Sequence, residues 1–176
     1  MMANGATTMM ATNTAPAAER KVQLGQFFTP PAIAAFMAGL FASGTEGACR
    51  LLDAGAGIGS LSDAFLRRWL AGGFTYQQVE VDAFEIDQAL HAKLADTLGQ
   101  YRQYPGVSIH IRGEDFIDTA SDWLSGSLFA SPLPAYSHAI LNPPYKKIHS
   151  DSAHRAALRR AGIETVNLYT AFVALA

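Results

Sequence analysis

Between Arg50 and Trp69 the chain passes from a short apolar run to a helical stripe through a turn built on three alternate glycines, Asp53-Ala54-Gly55-Ala56-Gly57-Ile58-Gly59-Ser60. Glycines at such a junction let the backbone turn tightly and approach a ligand closely. A strand that runs through them into a helix opens a parallel α/β unit. Arg50 to Asp53 reads as the strand, and from Ser60 the residues Leu61, Phe65, Leu66 and Trp69 share one helical face until Gly72-Gly73. The alternation repeats downstream. Val79 to Glu85 reads as a second strand, and Asp87 caps a helix carrying Leu90, Leu94 and Leu98, ended by Gly99. Val107, Ile109 and Ile111 alternate as a third strand. After a Ser/Gly/Pro-rich stretch, His138 to Leu141 forms a fourth, broken by Pro143-Pro144. Strands alternating with helices, without internal repeats, predict an α/β fold: an open, mostly parallel sheet with helices on both faces, wound like a Rossmann fold.

Upstream, Met1 to about Glu19 is low in complexity, with four Met and no aromatic, so residues 1–20 are expected to be a disordered leader and 21–176 a single domain. A helix is expected from Pro30 to about Phe41, with Thr29 as N-cap, Pro30 at N1 and Phe28 stapled onto Ile33. A Gly/Ser/Thr connector, Ser43 to Gly47, follows. Composition excludes several classes. Thirteen Lys+Arg against 15 Asp+Glu give a net charge of −2, which rules out a broadly polybasic protein but not a local basic patch. The single cysteine, Cys49, makes no internal disulfide, and the five histidines lack metal-ligand spacing. No metal and a reducing cytoplasmic location are therefore expected. No stretch reaches the roughly 18 apolar residues of a membrane span, and no secretory signal is recognisable.

Three acids and one tetrapeptide bear the chemistry. The glycine turn is Gly-x-Gly-x-Gly, whereas the dinucleotide fingerprint would place its third glycine at Ser60, which argues against a pyrophosphate ligand. Glu85, at the end of the second strand, is placed to accept hydrogen bonds from both hydroxyls of a ribose. Asp115, in Gly113-Glu114-Asp115-Phe116, follows the third strand, so the acids after the first, second and third strands, Asp53, Glu85 and Asp115, would line one crevice. Asn142-Pro143-Pro144-Tyr145 follows the fourth strand directly. An amino group on an aromatic ring is a poor nucleophile because its lone pair is delocalised. The Asn142 side-chain oxygen and the Pro143 carbonyl could each accept one amino hydrogen, drawing the nitrogen toward tetrahedral geometry. Two prolines stiffen the loop, and Tyr145 offers a flat face for an extruded base.

Gly25-Gln-Phe-Phe-Thr-Pro30, Asp53 to Gly59, Phe84-Glu-Ile-Asp87, Gly113-Glu-Asp-Phe116, Asn142-Pro-Pro-Tyr145 and Asn167-Leu-Tyr-Thr-Ala-Phe172 occur in that order. From about Leu24 onward the chain resembles the adenine-specific DNA methyltransferases of the gamma motif order, in particular the type II restriction–modification group. The resemblance implies S-adenosyl-L-methionine as cofactor and the exocyclic amino group of a flipped-out adenine in double-stranded DNA as methyl acceptor. Asn142, Pro143, Pro144 and Tyr145 would then be catalytic. Glu85 would hold the cofactor's ribose, with Ile86 beside its adenine, Asp115 accepting that adenine's amino group and Phe116 packing on the ring. Phe28, Thr29, Asp53, Gly55, Gly57 and Gly59 would complete the cofactor site, the helix start at Thr29 receiving the methionine carboxylate. A restriction endonuclease, or a separate C-terminal half, would be its protein partner.

Asn-Pro-Pro-Tyr also occurs in methyltransferases acting on a protein glutamine or on ribosomal RNA, but Gly25 to Pro30 favours DNA. A non-catalytic cofactor-binding fragment and, more remotely, a dehydrogenase are the other readings. From Lys146 to Arg160 the charge inverts. Lys146, Lys147, Arg155, Arg159 and Arg160 stand against Asp151 alone, with Arg155 and Arg159 spaced to share a helix face. Lys146, Lys147, Arg155 and Arg159 are therefore expected to meet the nucleic-acid backbone. The fold resembled here carries more strands than the four counted, and the sequence stops inside an apolar helix at Ala176. A truncated catalytic domain, lacking its target-recognition region and with an unpaired fourth strand, is the expectation.

Overall fold

The computed structural model describes residues 28–42, 47–128, 130 and 132–176. The leader, Gly25-Gln26-Phe27 and most of the connector after Ala42 lie outside the described residues. Four strands, β1 (Gly47–Ala54), β2 (Tyr76–Phe84), β3 (Val107–Arg112) and β4 (His138–Ala139), form one sheet in the order β3-β2-β1-β4 with every pair parallel. Leu51 pairs with Val81, and Val81 with Ile109, so one row of apolar side chains crosses the sheet in register. Residues Leu51 to Ala54 are all buried, as expected of a strand covered on both faces.

On one face lie α1 (Pro31–Gly39), α2 (Ser60–Arg68) and α3 (Gln88–Gly99), which bury Ala34, Ala38, Phe65, Leu66, Leu94 and Leu98 against Cys49, Leu51, Val79 and Val81. On the other, Phe116 and Ala120 of α4 (Phe116–Leu124) pack with Leu52, Ala54 and Phe84. Ile117, Ile148, Leu158 and Ala171 join α4 to α5 (Ala153–Arg160) and α6 (Leu168–Leu175). The order of the strands decides where a ligand can bind. The chain steps outward from β1 through β2 to β3, then returns to β4 on the other side of β1. That reversal opens a crevice at the carboxyl ends of β1 and β4, the switch point at which open α/β sheets bind ligands. No helix among the described residues is long and apolar enough to cross a membrane.

The elements differ from expectation at several ends. α1 begins at Pro31 rather than Pro30, with Pro30 extended (φ −58°, ψ 146°), because a residue preceding proline is driven out of the helical region. Thr29 is therefore not the cap, and Ile33, the expected staple partner of Phe28, is exposed. The helix from Ser60 is α-helical only to Arg68, and a π-helical turn, Trp69–Gly73, follows, within which Gly72 leaves helical geometry at φ +79°. α3 ends at Gly99 as expected, although this glycine does not adopt the left-handed conformation of a helix stop. It is right-handed (φ −58°), and the chain continues as a 3-10 turn over Gln100–Gln103. Asp87 caps α3 as expected, accepting the Ala89 N–H at 3.0 Å. β4 pairs over two residues rather than four, although the Ile140 N–H still donates to the Leu52 carbonyl at 2.9 Å. It ends the sheet among the described residues.

Candidate active site at the sheet's switch point

The turn after β1 is folded against the end of β2. The N–H groups of Gly55 and Ala56 both donate to the Phe84 carbonyl, at 2.9 and 2.8 Å. All three glycines are left-handed, but for different reasons. A Cβ on Gly57 (φ +58°) would meet only the edge of the Phe28 ring, at 3.6 Å. A Cβ on Gly59 (φ +84°) would come within 2.9 Å of Leu94 and 3.3 Å of Leu98, both fully buried. Gly59 thus lets α2 seat against α3, whereas Gly55 and Gly57 line the crevice. Gly59, expected in the cofactor site, does not line the crevice and packs against α3 instead.

Asp53 is likewise placed beneath the turn and does not line the crevice. Its side chain is fully buried, with Oδ2 accepting the Ser62 N–H at 3.2 Å and the Ser62 hydroxyl at 2.6 Å. Oδ1 has no hydrogen-bond partner. Burial pushes this carboxyl up to about 6 against the pull of Ser62, and the charge of Glu85 adds to the rise.

The crevice is a cavity of about 340 Å³. Glu85 forms one wall, almost fully buried, with Oε2 accepting the Gly57 N–H at 2.8 Å and Oε1 the Asp87 N–H at 2.7 Å. Burial raises its carboxyl above the ordinary range, opposed by those two N–H groups. Ile86 stands exposed at the rim. Across from them Asp115 caps α4: Oδ1 accepts the N–H groups of Ile117 and Asp118, at 2.8 and 3.2 Å. Its Oδ2 meets Nε2 of His154 at 2.9 Å. Burial works to raise the Asp115 carboxyl. The His154 hydrogen bond and charge, with the two cap N–H groups, outweigh it and hold Asp115 below its usual range. The same hydrogen bond raises His154. Phe116 is buried under this wall, 5.4 Å from Phe172 and 5.2 Å from Phe84 between ring centroids.

Asn142 closes the β4 side. Its Nδ2 donates to Thr29 Oγ1 at 3.2 Å, and its Oδ1 accepts the Tyr145 hydroxyl at 3.4 Å. Thr29, displaced from the cap position, therefore holds the Asn142 amide across the crevice mouth. Tyr145 is 59% exposed and stacks on Tyr169, with centroids 5.4 Å apart and planes 17° from parallel. The loop beyond it is tied to the start of α6, since the Leu168 N–H donates to the Lys146 carbonyl and the Ile148 N–H to the Val166 carbonyl. Phe28, Gly55, Gly57, Glu85, Ile86, Asp115, Phe116, Asn142 and Pro144 all line one cavity, with Lys146 and Lys147 at its side.

Arg155 and Arg159 do share a face of α5, but that face is turned to Glu164. Arg155 Nη2 lies 2.7 Å from one Glu164 oxygen and Arg159 Nε 3.0 Å from the other. Arg155 also donates to the Thr165 carbonyl, and its side chain is only 12% exposed. A charge tally that ends at Arg160 misses Glu164, four residues later. His154 and Phe172 were given no role in the site from the sequence, yet both line the cavity. Together Asp115, Asp118 and His154 bring three potential metal-ligand atoms within 4.8 Å of one another, a grouping invisible in the spacing of the histidines.

No protein-family profile matches the chain. It is 48% identical over 162 residues to a Bacillus subtilis protein named Type II methyltransferase M.BsuBI, covering 91% of this chain and 32% of that one. It is 37% identical over 158 residues to Type II methyltransferase M.PstI of Providencia stuartii, covering 88% and 30%. The chain thus spans about a third of the length of the curated relatives it matches. Among solved structures, a Listeria monocytogenes protein provisionally assigned as a class I S-adenosylmethionine-dependent methyltransferase superposes with a TM-score of 0.57 at 14% identity, over 90% of this chain and 44% of that one. The methyltransferase subunit of a type I restriction-modification system from Streptococcus thermophilus superposes with a TM-score of 0.50 at 21% identity, over 74% and 26%. The Rossmann-like α/β fold is shared with both.

Proposed function

We propose that this chain carries the catalytic portion of a DNA methyltransferase that moves a methyl group from S-adenosyl-L-methionine to the N6 amino group of an adenine turned out of double-stranded DNA. The observation that carries the reading is the position of Asn142 and Pro144 of Asn142-Pro143-Pro144-Tyr145: just past the carboxyl end of β4, on the same cavity as Glu85 and Asp115. The names borne by the two relatives support it.

The donor set fits the cofactor. Glu85 and Asp115 are carboxylates whose oxygens can each accept more than one donor, which suits sugar hydroxyls and an aromatic amino group. Phe116, Phe172 and Pro144 supply apolar surface for a flat ring. When bound, the cofactor supplies an electrophilic methyl group. Asn142 Oδ1 and the Pro143 carbonyl accept the two amino hydrogens of the target and aim its nitrogen lone pair. Thr29 holds the amide nitrogen of Asn142, and the oxygen, which accepts the Tyr145 hydroxyl at 3.4 Å, keeps a second lone pair for the target. Tyr145 receives the extruded base by stacking, which offsets roughly 1–3 kcal/mol of the few kcal/mol that extrusion costs. Lys146 and Lys147 meet the phosphates beside the crevice. A restriction endonuclease would be the functional counterpart of such an enzyme.

Incubation with methyl-labelled S-adenosyl-L-methionine and unmethylated DNA, followed by digestion to nucleosides, tests the reading. Label is expected in N6-methyldeoxyadenosine. Asn142→Ala should slow single-turnover transfer about 10²–10³-fold while leaving cofactor affinity within about twofold. Label entering a release-factor glutamine or ribosomal RNA, and not DNA, would overturn the assigned substrate.

A further inference from the structure

We infer that His154 is a specificity-determining positioning residue: by holding Asp115 Oδ2 from α5, it makes the cavity select a purine bearing a 6-amino group. The inference rests on the cofactor reading above and goes beyond it, because His154 belongs to none of the motifs.

The geometry begins with the two oxygens of Asp115. Oδ1 is consumed by the helix, accepting the N–H groups of Ile117 and Asp118. Only Oδ2 remains to serve a ligand, and it is the oxygen that His154 Nε2 approaches at 2.9 Å. Both side chains line the cavity, and both are partly exposed, 33% for His154 and 20% for Asp115. A carboxylate pinned at one oxygen can still swing about its Cβ–Cγ bond. Pinned at both, it presents its remaining lone pairs in one direction.

Ionisation follows from the same contact. An ionised carboxylate only accepts hydrogen bonds, whereas a protonated one also donates. His154 favours the ionised form of Asp115, and Asp115 in return, with a smaller contribution from Asp118 on the first turn of α4, favours the protonated imidazole. Glu114 beside Asp115 adds a further carboxylate to this wall of the cavity. An acceptor-only group fixed in direction attracts a 6-amino group and repels the lone pairs of a 6-oxo group. Leaving such a half-buried acceptor facing the wrong partner is costly, so hydrogen bonding discriminates between the two groups.

Removal of His154 need not unfold its helix. α5 remains attached to α4 through Arg160 and Asp122, 3.0 Å apart, and by the buried Ala157 and Leu158. Ser152 still caps its first turn through the Arg155 N–H.

The test is calorimetric titration of the chain with S-adenosylhomocysteine and with S-inosylhomocysteine, whose base carries a 6-oxo group in place of the 6-amino group and an N–H at N1 in place of a lone pair. The unchanged protein should bind the amino form at least about tenfold more tightly. His154→Ala should weaken the amino form about five- to tenfold and leave the oxo form within about twofold, so that the preference shrinks; His154→Gln, which retains an N–H donor, should recover most of it. Equal weakening of both ligands by His154→Ala would show a merely structural role and overturn the inference. So would variants indistinguishable from the unchanged protein. If the unchanged protein binds neither ligand, the cofactor reading itself falls, and this inference with it.

Discussion

Replacing Asp53 by Asn should alter how stability depends on pH, and the structure sets the size of the change. Asp53 is fully buried, with one oxygen on Ser62 and the other without a partner. Burial, assisted by the charge of Glu85, pushes its carboxyl from 3.8 to about 6. The folded protein therefore holds this proton more tightly than the unfolded chain does. The stability this contributes is fully present below about pH 3.8 and is lost as pH rises through about 6. At 1.36 kcal/mol per pH unit the loss amounts to about 3 kcal/mol. Asparagine cannot ionise and keeps an oxygen for Ser62, but it buries an amide where Oδ1 had no partner, which costs about 1–3 kcal/mol at every pH. Asp53→Asn should thus be the less stable protein near pH 4, and the gap should close or reverse by pH 8. The assay is urea unfolding of both proteins, followed by circular dichroism, across that range. His154 and Asp115 titrate in both proteins and cancel in the difference. A difference constant to within about 0.5 kcal/mol from pH 4 to 8 would refute the reasoning, because this tolerance is far below the linkage term.

The glycines of the turn should separate in the same assay. Gly57→Ala should cost about 1–2 kcal/mol for the left-handed backbone alone, whereas Gly59→Ala, whose Cβ meets Leu94 and Leu98, should cost about 2–5 kcal/mol. Equal losses would mean that the packing of α2 on α3 is not what Gly59 serves. On α5, Arg155→Ala should lower stability by about 1–3 kcal/mol, because it breaks charge-assisted hydrogen bonds in a nearly buried setting. Arg159→Ala, in the more exposed half of the same cluster, should change stability by under about 1 kcal/mol. A larger effect at Arg159 than at Arg155 would contradict the assigned geometry.

What the sequence disclosed depends on whether the responsible interaction is local. β1, β2 and β3 were legible because their apolar runs are bounded by turns, and Asp87 because a cap acts within its own first turn. α4 escaped notice because Asp115 was assigned to the crevice and not to a helix start, although Ile117, Ala120 and Ser121 recur at helical spacing after it. Thr29 was misplaced by one residue through a local steric rule, the effect of Pro31 on Pro30. The contacts that organise the site were not legible at all. Asn142 meets Thr29 across 113 residues and His154 meets Asp115 across 39, and no periodicity announces a pair at such separations.

The motif residues also divide by what they touch, and that division changes how substitutions at the site must be interpreted. Gly55 and Gly57 face the cavity, whereas Gly59 and Asp53 support them from behind, one against α3 and one through Ser62. Glu85 belongs to both groups. One of its oxygens holds the Gly57 N–H and the other the Asp87 N–H, so the same carboxylate that faces the cavity also ties the glycine turn to the end of β2. The glycine turn and the acid after the second strand are thus one mechanical unit rather than two separate contacts. Truncating Glu85 removes an acceptor and slackens the turn together, so the affinity lost on truncation exceeds the worth of any hydrogen bond to a ligand hydroxyl. Glutamine at the same position would keep one oxygen for Gly57 or Asp87 and would break the other tie. The two effects separate only when each substitution is paired with a ligand that lacks the hydroxyl.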